Sequence, residues 1–254
     1  RTYSIRSTRR PVAEPSLPRA SVPSTRPALT RSQQLVLIAP MLLFSMVAHE
    51  YAHGWAALRQ GDDTAWSLGR LTWNPVKHID PFMTILLPLM LAWAGAPIIG
   101  GAKPVPVNPR NYRHLKRGDI IVSLAGVAAN LLIAIACVPV VVLAGVLGGA
   151  IPAIAEPLAL LQRMAIMGIF LNMILVAFNL LPVPPLDGSH VVKWLLPPRI
   201  AYAYTRLAGA GILVLLFVIY FVPGIRTVVV GPALFVQALA ERLYLPFLLP
   251  SPLT

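Results

Sequence analysis

The chain has 254 residues, of which 57% are hydrophobic and only 12% are charged, with a mean hydropathy of +0.72 and a formal net charge of +12. This composition excludes an ordinary soluble globular domain and is typical of a polytopic membrane protein. The basic residues lie mainly in the N-terminal tail and between apolar stretches, which favours orientation in a membrane and attraction to anionic lipid over nucleic-acid binding.

The N-terminal segment differs in composition from the rest of the chain. Residues 1–32 contain seven Arg, six Ser and five Pro but a single acid, Glu14. Low hydrophobicity and high net charge predict a disordered, solvated tail. The Arg- and Ser-rich, acid-poor composition also fits an organellar transit segment. We therefore separate a basic tail at 1–32 from a membrane-embedded core at 33–200 and from C-terminal transmembrane or peripheral helices at 201–254.

Several apolar stretches are long enough to cross a bilayer, which takes about 20 residues as a helix. They cover residues 33–58, 119–149, 161–182 and 205–222, with 227–249 as a further candidate. The stretch 82–100 is shorter and contains Pro88 and Pro97, which favours a re-entrant or tilted hairpin. We predict an all-α polytopic membrane protein with about five to six transmembrane or membrane-embedded helices. A re-entrant or short β-containing segment is expected between its first two core helices.

The first apolar stretch contains a His-Glu-x-x-His pattern formed by His49, Glu50 and His53. On a helix, residues i and i+4 share one face, so both imidazoles can bind one metal ion. Glu50 is placed to act as a general base on a metal-bound water. Titratable side chains at membrane depth are costly and usually functional. The alternative is that the two histidines and the glutamate satisfy one another without a metal.

A catalytic zinc ion normally has three protein ligands and one open position. A candidate third ligand, Asp187, lies in the sequence NLLPVPPLDG at Asn179–Gly188, at the end of a long apolar stretch. The three prolines end the helix and leave extended backbone, which at membrane depth is tolerated only next to protein or a water-filled cavity. A metal ion would satisfy this carboxylate, although an ordinary turn at the membrane interface would also account for it. The other aspartates are expected in solvated loops, in a turn and near a helix start: Asp62, Asp63, Asp80 and Asp119.

In this order on separate apolar stretches, His49–His53 and Asn179–Gly188 resemble the site-2 protease family of intramembrane zinc metalloproteases. The resemblance covers roughly residues 35–200 and includes Gly69–Pro75 and Ala102–Asn108, which are typical of short prokaryotic members without extra soluble domains. It implies one Zn²⁺ per chain, with Glu50 as the catalytic base and Asn179 holding the scissile peptide or its oxyanion. The ligands that it implies are His49, His53 and Asp187.

One position departs from the family pattern. Members commonly have Gly-Pro-x-x-Asn in the intervening helix, whereas this chain has Gly126-Val127-Ala128-Ala129-Asn130. The metal ligands do not depend on the missing proline, but helix bending and substrate access could. Asn130 remains a second-rank catalytic candidate, and a hydrogen bond between helices is its alternative role.

The three ligands must lie at one depth in the membrane, and this requirement constrains the topology. If 82–100 spans the membrane and the tail is cytoplasmic, most Lys and Arg lie inside, as the positive-inside rule prefers, but His49 and Asp187 lie at different depths. If 82–100 is re-entrant, His49 lies about 14 Å from the cytoplasmic end of its helix, and Asp187 can reach that depth. We prefer the re-entrant arrangement, because metal coordination is the harder constraint. It leaves the arginines of the tail outside, which the charge pattern does not explain.

The resemblance implies an endopeptidase that hydrolyses peptide bonds in or near transmembrane helices of membrane-protein substrates, within membrane lipid and without a nucleic-acid partner. It implies a prokaryotic cell membrane with the active site toward the cytoplasm, and an organellar membrane is the alternative. A transporter coupled to ions or protons and a proteolytically inactive zinc-binding scaffold remain open as other classes. The remaining histidines are expected in interfacial loops, and His190 could at most orient a ligand. The single cysteine, Cys137, is expected to be a packing residue.

Overall fold

The computed structural model describes residues 31–93 and 100–250. The predicted basic tail therefore lies almost wholly outside the described residues, as does part of the 82–100 stretch. Within the described ranges the chain is helical and contains no strand, so the predicted all-α class is confirmed there. The short β-containing segment allowed by the sequence does not occur in these ranges.

The main helices follow the apolar stretches, and polar, Gly- or Pro-containing segments separate them. The first helix ends at Gln60, where Gly61 adopts a left-handed conformation with φ of 109° that favours glycine. The helices in chain order are α1 (Arg31–Gln60), α2 (Thr64–Ser67), α3 (Leu87–Trp93), α4 (Leu115–Ala150), α5 (Ala155–Asn179), α6 (Asp187–Lys193), α7 (Pro198–Arg206), α8 (Gly211–Phe221) and α9 (Ile225–Tyr244).

Three helical segments of the described chain are long and apolar enough to cross a membrane, namely Leu115–Ala150, Pro152–Asn179 and Ile225–Phe247. They contain α4, α5 and α9. The predicted span at 205–222 is not one continuous α-helix, because a 3-10 turn at Leu207–Ala210 joins the end of α7 at Arg206 to α8, which has 11 residues. At 1.5 Å per residue α8 is about 16 Å long, roughly half of the hydrocarbon core.

Helices α1, α4, α5 and α9 pack together around small side chains. A buried cluster joins α4, α5 and α9 through Cys137, Val141, Ala165, Ile169, Ala240 and Tyr244. Small residues allow helix backbones to approach closely in a membrane, where packing rather than water drives association. Cys137 is a buried free thiol in this cluster, in the packing role that the sequence predicts.

The chain between α1 and α4 turns back and runs alongside α1. The ring of Trp73 stacks on Tyr51 at 4.7 Å and on Phe44 at 6.1 Å, measured between ring centroids. A π-helical turn at Pro81–Leu86 then leads into α3, and the carboxylate of Asp80 caps this turn. The connection therefore returns to the middle of α1, next to the His-Glu-x-x-His sequence.

Asp62 stabilises the turn after α1 through buried hydrogen bonds, contrary to the prediction that it is a solvated loop residue. Its side chain is fully buried. It accepts hydrogen bonds from the Thr64 hydroxyl at 2.5 Å, the Asn108 backbone N–H at 2.6 Å and the Asn111 side-chain amide at 2.8 Å. The sequence interpretation failed because these last two donors come from a segment more than 40 residues away, which no local pattern reveals.

Candidate metal centre

His49, His53 and Asp187 converge at the middle of the helix bundle. The two histidines lie one turn apart on α1, and Asp187 is the first residue of α6. The Nε2 atoms of the histidines are 3.0 Å apart. His49 Nε2 is 3.3 Å from Asp187 Oδ2, and His53 Nε2 is 3.5 Å from Asp187 Oδ1. Nitrogen and oxygen ligands bound to zinc at about 2.0–2.1 Å lie about 3.3 Å apart at the tetrahedral angle, so these separations fit a zinc site.

The hydrogen bonds behind the two rings leave both Nε2 atoms without a proton in the neutral imidazoles. His49 Nδ1 lies 2.5 Å from Asn130 Oδ1, and His53 Nδ1 lies 2.7 Å from the carbonyl oxygen of Val122. Both partners are oxygen atoms that only accept, so each Nδ1 carries the proton and each Nε2 presents a lone pair. Two lone pairs and a carboxylate then face one another, and a cation is what such a donor set binds.

Two further observations fit a metal ion. Oδ2 of Asp187 is buried and has no hydrogen-bond partner, which is costly for a carboxylate oxygen unless a cation is present. Gly126 on α4 faces both rings, and a Cβ atom at that position would lie 2.6–2.7 Å from the His49 ring and closer still to His53 Nε2. The glycine therefore keeps open the space that the ligand nitrogens face.

Asn130 lies behind His49, on the side of the ring that faces away from Asp187. It is fully buried, and its Nδ2 donates to Oδ1 of Asn172 at 2.8 Å, while Asn172 Nδ2 donates to the Gly168 carbonyl at 2.9 Å. Because Nδ2 of Asn130 donates to Asn172, it is the oxygen Oδ1 of Asn130 that faces Nδ1 of His49. Asn130 therefore makes the hydrogen bond between helices that was its alternative role, and these contacts do not test its predicted catalytic role.

Glu50 is half-buried beside the first histidine and contacts the extended segment at 101–108. Its Oε2 accepts a hydrogen bond from the Val105 backbone N–H at 2.7 Å. The same segment is held by Arg70, whose Nη2 donates to the carbonyls of Lys103 at 3.2 Å and Pro104 at 3.3 Å. A carboxylate and an extended backbone thus lie side by side next to the histidine pair.

Asn179 is half-buried near the end of α5, and its Nδ2 donates to the Leu175 carbonyl of its own helix at 3.0 Å. It makes no hydrogen bond to His49, His53 or Asp187 in the structure, so these contacts do not test its predicted role.

The proline-containing stretch after α5 folds tightly around Gly188. A Cβ there would collide with the Leu180 and Leu181 carbonyls, so the close approach of these segments requires glycine.

His190 and Asp119 contact each other rather than the metal ligands. His190 Nδ1 lies 3.0 Å from Asp119 Oδ1. The sequence allowed His190 to orient a metal ligand, but this contact is with Asp119 and not with Asp187. Asp119 is buried and binds side chains of another element, which goes beyond the predicted cap or dipole role.

Sequence reasoning missed Asn172 altogether. The available signal was an amide in the middle of an apolar helix, which needs a partner.

A bundle with three segments long and apolar enough to cross a membrane, together with a His, His and carboxylate donor set on α1 and α6, defines a membrane-embedded metalloprotein. Comparison with known proteins gives the family: the model of peptidase family M50 matches residues 37–222. The chain belongs to this family, the site-2 proteases, and is a zinc metalloprotease. Its metal is accordingly Zn²⁺.

Two relatives illustrate the similarity. YwhC of Bacillus subtilis, provisionally named a zinc metalloprotease, is 38% identical over 193 residues, which cover 76% of this chain and 83% of the relative. Rip2 of Mycolicibacterium smegmatis, named in the same provisional way, is 32% identical over 182 residues, which cover 70% of this chain and 64% of the relative. No solved structure gives a significant match. Together with the three long apolar helices, the family indicates an integral membrane protein.

Proposed function

We propose that this protein is an intramembrane endopeptidase that hydrolyses peptide bonds in or near the transmembrane helices of membrane-protein substrates. The observation that carries the proposal is the position of the donor set along α1. His49 lies 11 residues before the end of α1, which corresponds to about 16 Å at 1.5 Å per residue. With α1 crossing the bilayer and ending at its surface, as we propose, His49 lies at about the midplane of a hydrocarbon core about 30 Å thick.

The roles of the side chains follow from their chemistry. His49, His53 and Asp187 would hold the zinc ion, which when bound would supply Lewis-acid polarisation of the scissile carbonyl and would lower the pKa of the attacking water. Glu50, next to the first ligand, accepts the proton of that water and delivers it to the leaving amine. Asn179 donates its amide to the developing oxyanion, after exchanging its present acceptor, the Leu175 carbonyl, for the substrate.

A substrate helix must unwind before it is cut, because its peptide bonds are hydrogen-bonded and shielded. The extended segment at 101–108 contacts Glu50 through Val105 and offers backbone groups to which an unwound peptide could add as a strand. In this proposal the substrate enters from the surrounding lipid. Its partners are therefore a transmembrane protein and the membrane, and no nucleic acid.

The proposed location is a prokaryotic cell membrane with the active site toward the cytoplasm. The relatives from Bacillus subtilis and Mycolicibacterium smegmatis support the prokaryotic setting. The return of Trp73 to the level of Tyr51 supports a re-entrant connection before α4. With that connection, the end of α1 at Gln60 and the chain before α4 lie on one side, as the depth of the ligands requires.

The decisive experiment compares cleavage of a model transmembrane substrate by the wild-type chain and by Glu50→Gln in liposomes, with zinc content measured on both. We expect both proteins to contain zinc and only the wild type to cleave. Glu241→Gln, an exposed glutamate on α9, is the matched control and is expected to cleave normally. Full cleavage by Glu50→Gln would contradict the mechanism. Absence of cleavage in the wild type would favour the scaffold, and ion flux through the liposome membrane would favour the transporter.

The natural substrates can then be sought by proteomics. Membrane-protein fragments that are present in wild-type cells and missing in a Glu50→Gln strain are expected to map to transmembrane helices or their flanks. Fragments that map only to soluble domains would contradict the proposed substrate class.

A further inference from the structure

A buried carboxylate outside the metal ligands, Asp119, has no assigned role. It lies in the second turn of α4, and its side chain is 3% exposed. Its Oδ1 is 3.0 Å from His190 Nδ1, while its Oδ2 is 2.6 Å from Lys193 Nζ and accepts from Trp194 Nε1 at 2.7 Å. Removing a carboxylate from water is costly unless hydrogen bonds replace the lost hydration, and three donors do so here.

All three donors of Asp119 belong to α6 or to the residue that follows it. Helix α6 has seven residues, comes directly after a proline-containing turn, and begins with Asp187. A helix of two turns has little stability of its own, so contacts with its neighbours determine where it lies. Asp119 is therefore a main anchor of the element that carries the third donor of the metal centre.

The spacing of the contacts shows how α6 lies on α4. Gly126, which faces the two ligand histidines, is seven residues after Asp119 on α4. Trp194, which binds Asp119, is seven residues after Asp187. Both separations correspond to about 10 Å along a helix. Helix α6 therefore runs antiparallel to α4, with Asp187 at the metal end and the Asp119 contacts at the other end.

The residues of α4 that serve the centre form one face of the helix. Val122 accepts from His53, Gly126 leaves space for the ligand nitrogens, and Asn130 accepts from His49. These positions follow Asp119 at intervals of three, four and four residues, which is the spacing of a single helix face. The face supports the two ligands of α1 directly, and through Asp119 it holds α6, which carries the third donor.

We propose that Asp119 is a positioning residue for Asp187: by fixing the far end of α6 against α4, it determines whether this third ligand reaches the metal. This inference rests on the proposed ligand role of Asp187. It predicts that loss of the Asp119 contacts weakens zinc binding, although Asp119 lies about two helical turns from the metal.

The test is the zinc affinity of the full chain in detergent, measured with the metal alone by competition with a chromogenic chelator. Asp119→Asn is expected to bind zinc about 10–100-fold more weakly, which is the usual effect of losing a group that orients a ligand. The visible absorption of the Co²⁺-substituted protein, which reports ligand geometry, is expected to change as well. Unchanged zinc affinity and an unchanged Co²⁺ spectrum would overturn the proposal.

Asp62→Asn is the matched control, because Asp62 is another buried carboxylate with several donors and contacts none of α6. It is expected to lower the unfolding temperature while leaving zinc affinity unchanged. If both variants lower stability and neither changes zinc affinity, the role of Asp119 is structural only and the proposal is wrong. If Asp119→Asn does not fold, Trp194→Phe removes one donor and is expected to weaken zinc binding several-fold, whereas unchanged affinity in that variant overturns the proposal.

A further variant separates this inference from the proposed function. Asp187→Asn is expected to weaken zinc binding strongly in the same assay. If it does so while Asp119→Asn has no effect, the proposed ligand set stands and only the positioning role fails. If Asp187→Asn itself leaves zinc affinity unchanged, the proposed ligand set fails and the inference about Asp119 fails with it.

Discussion

Oδ1 of Asn130 lies 2.5 Å from Nδ1 of His49, and it is this contact that turns Nε2 of the histidine toward Asp187. Asn130 can act in this way because its own amide is fixed by Asn172, which in turn donates to the backbone of α5. Three helices thus determine the orientation of one imidazole. The metal centre is a property of the bundle, not of the His-Glu-x-x-His sequence alone.

We expect Asn130→Leu to weaken zinc binding by about 10–100-fold, because the leucine cannot accept the Nδ1 proton and the ring loses its orientation. Asn172→Leu is expected to have a smaller effect in the same direction, because Asn130 remains but its amide is free to turn. Chelator competition on the detergent-solubilised chain measures both affinities. An effect of Asn172→Leu larger than that of Asn130→Leu would contradict this order of action.

We expect Gly126→Ala to abolish zinc binding and cleavage, because its Cβ would collide with both ligand rings. Gly149→Ala is the matched control on the same helix, since nothing lies within 4 Å of a Cβ there. Alanine favours a helix over glycine by about 0.5–1 kcal/mol, so the control is expected to retain zinc with unchanged or slightly higher stability. Zinc content by mass spectrometry of the native protein measures the difference. Full zinc occupancy in Gly126→Ala would show that the His49 and His53 rings do not lie against Gly126.

The sequence predicts the helical class, and the spacing of four residues marks His49 and His53 as a local signal. The proline-rich turn makes Asp187 a candidate, but only the family resemblance singles it out as the third ligand. The sequence does not predict what lies behind those side chains. The amide of Asn172 in an apolar helix indicates only that it needs a hydrogen-bond partner. That this partner is Asn130 depends on the relative rotation of α4 and α5, which the sequence does not reveal. Asp119 near a helix start has an adequate local explanation, which conceals its contacts with His190 and Trp194.

Asp62 gives a pH dependence to the stability of the turn after α1. Burial alone would raise the pKa of its carboxyl, but the hydrogen bonds from Thr64, Asn108 and Asn111 outweigh it and hold the pKa below its ordinary value. The folded state therefore prefers the ionised form. The resulting stability is fully present above the unfolded pKa of about 4 and is lost as pH falls through the lower folded pKa. We expect the difference in unfolding temperature between wild type and Asp62→Asn to shrink below pH 4, and a difference that stays constant from pH 7 to pH 3 would refute this account.

Arg70 connects the extended segment at 101–108 to the catalytic carboxylate. Its guanidinium holds the Lys103 and Pro104 carbonyls, and the next residue, Val105, donates to Glu50. We expect Arg70→Ala to lower kcat for a model transmembrane substrate by about 10-fold, which is less than the roughly 100- to 10,000-fold that a proton-transfer group itself contributes, because Arg70 acts on Glu50 only through the backbone. Its zinc affinity is expected to stay unchanged, because all three donors lie on α1 and α6.

Arg59→Ala is the matched control for Arg70→Ala. Arg59 lies over the exposed ring of Trp55, 4.8 Å from its centroid, and its loss is expected to leave both kcat and zinc content unchanged. Parallel measurement of cleavage rate and zinc affinity distinguishes the two ways in which Arg70 could act. A fall in zinc affinity that matches the fall in kcat would show that Arg70 supports the whole bundle. A selective fall in kcat is expected, because the segment that Arg70 holds contacts the base rather than the ligands.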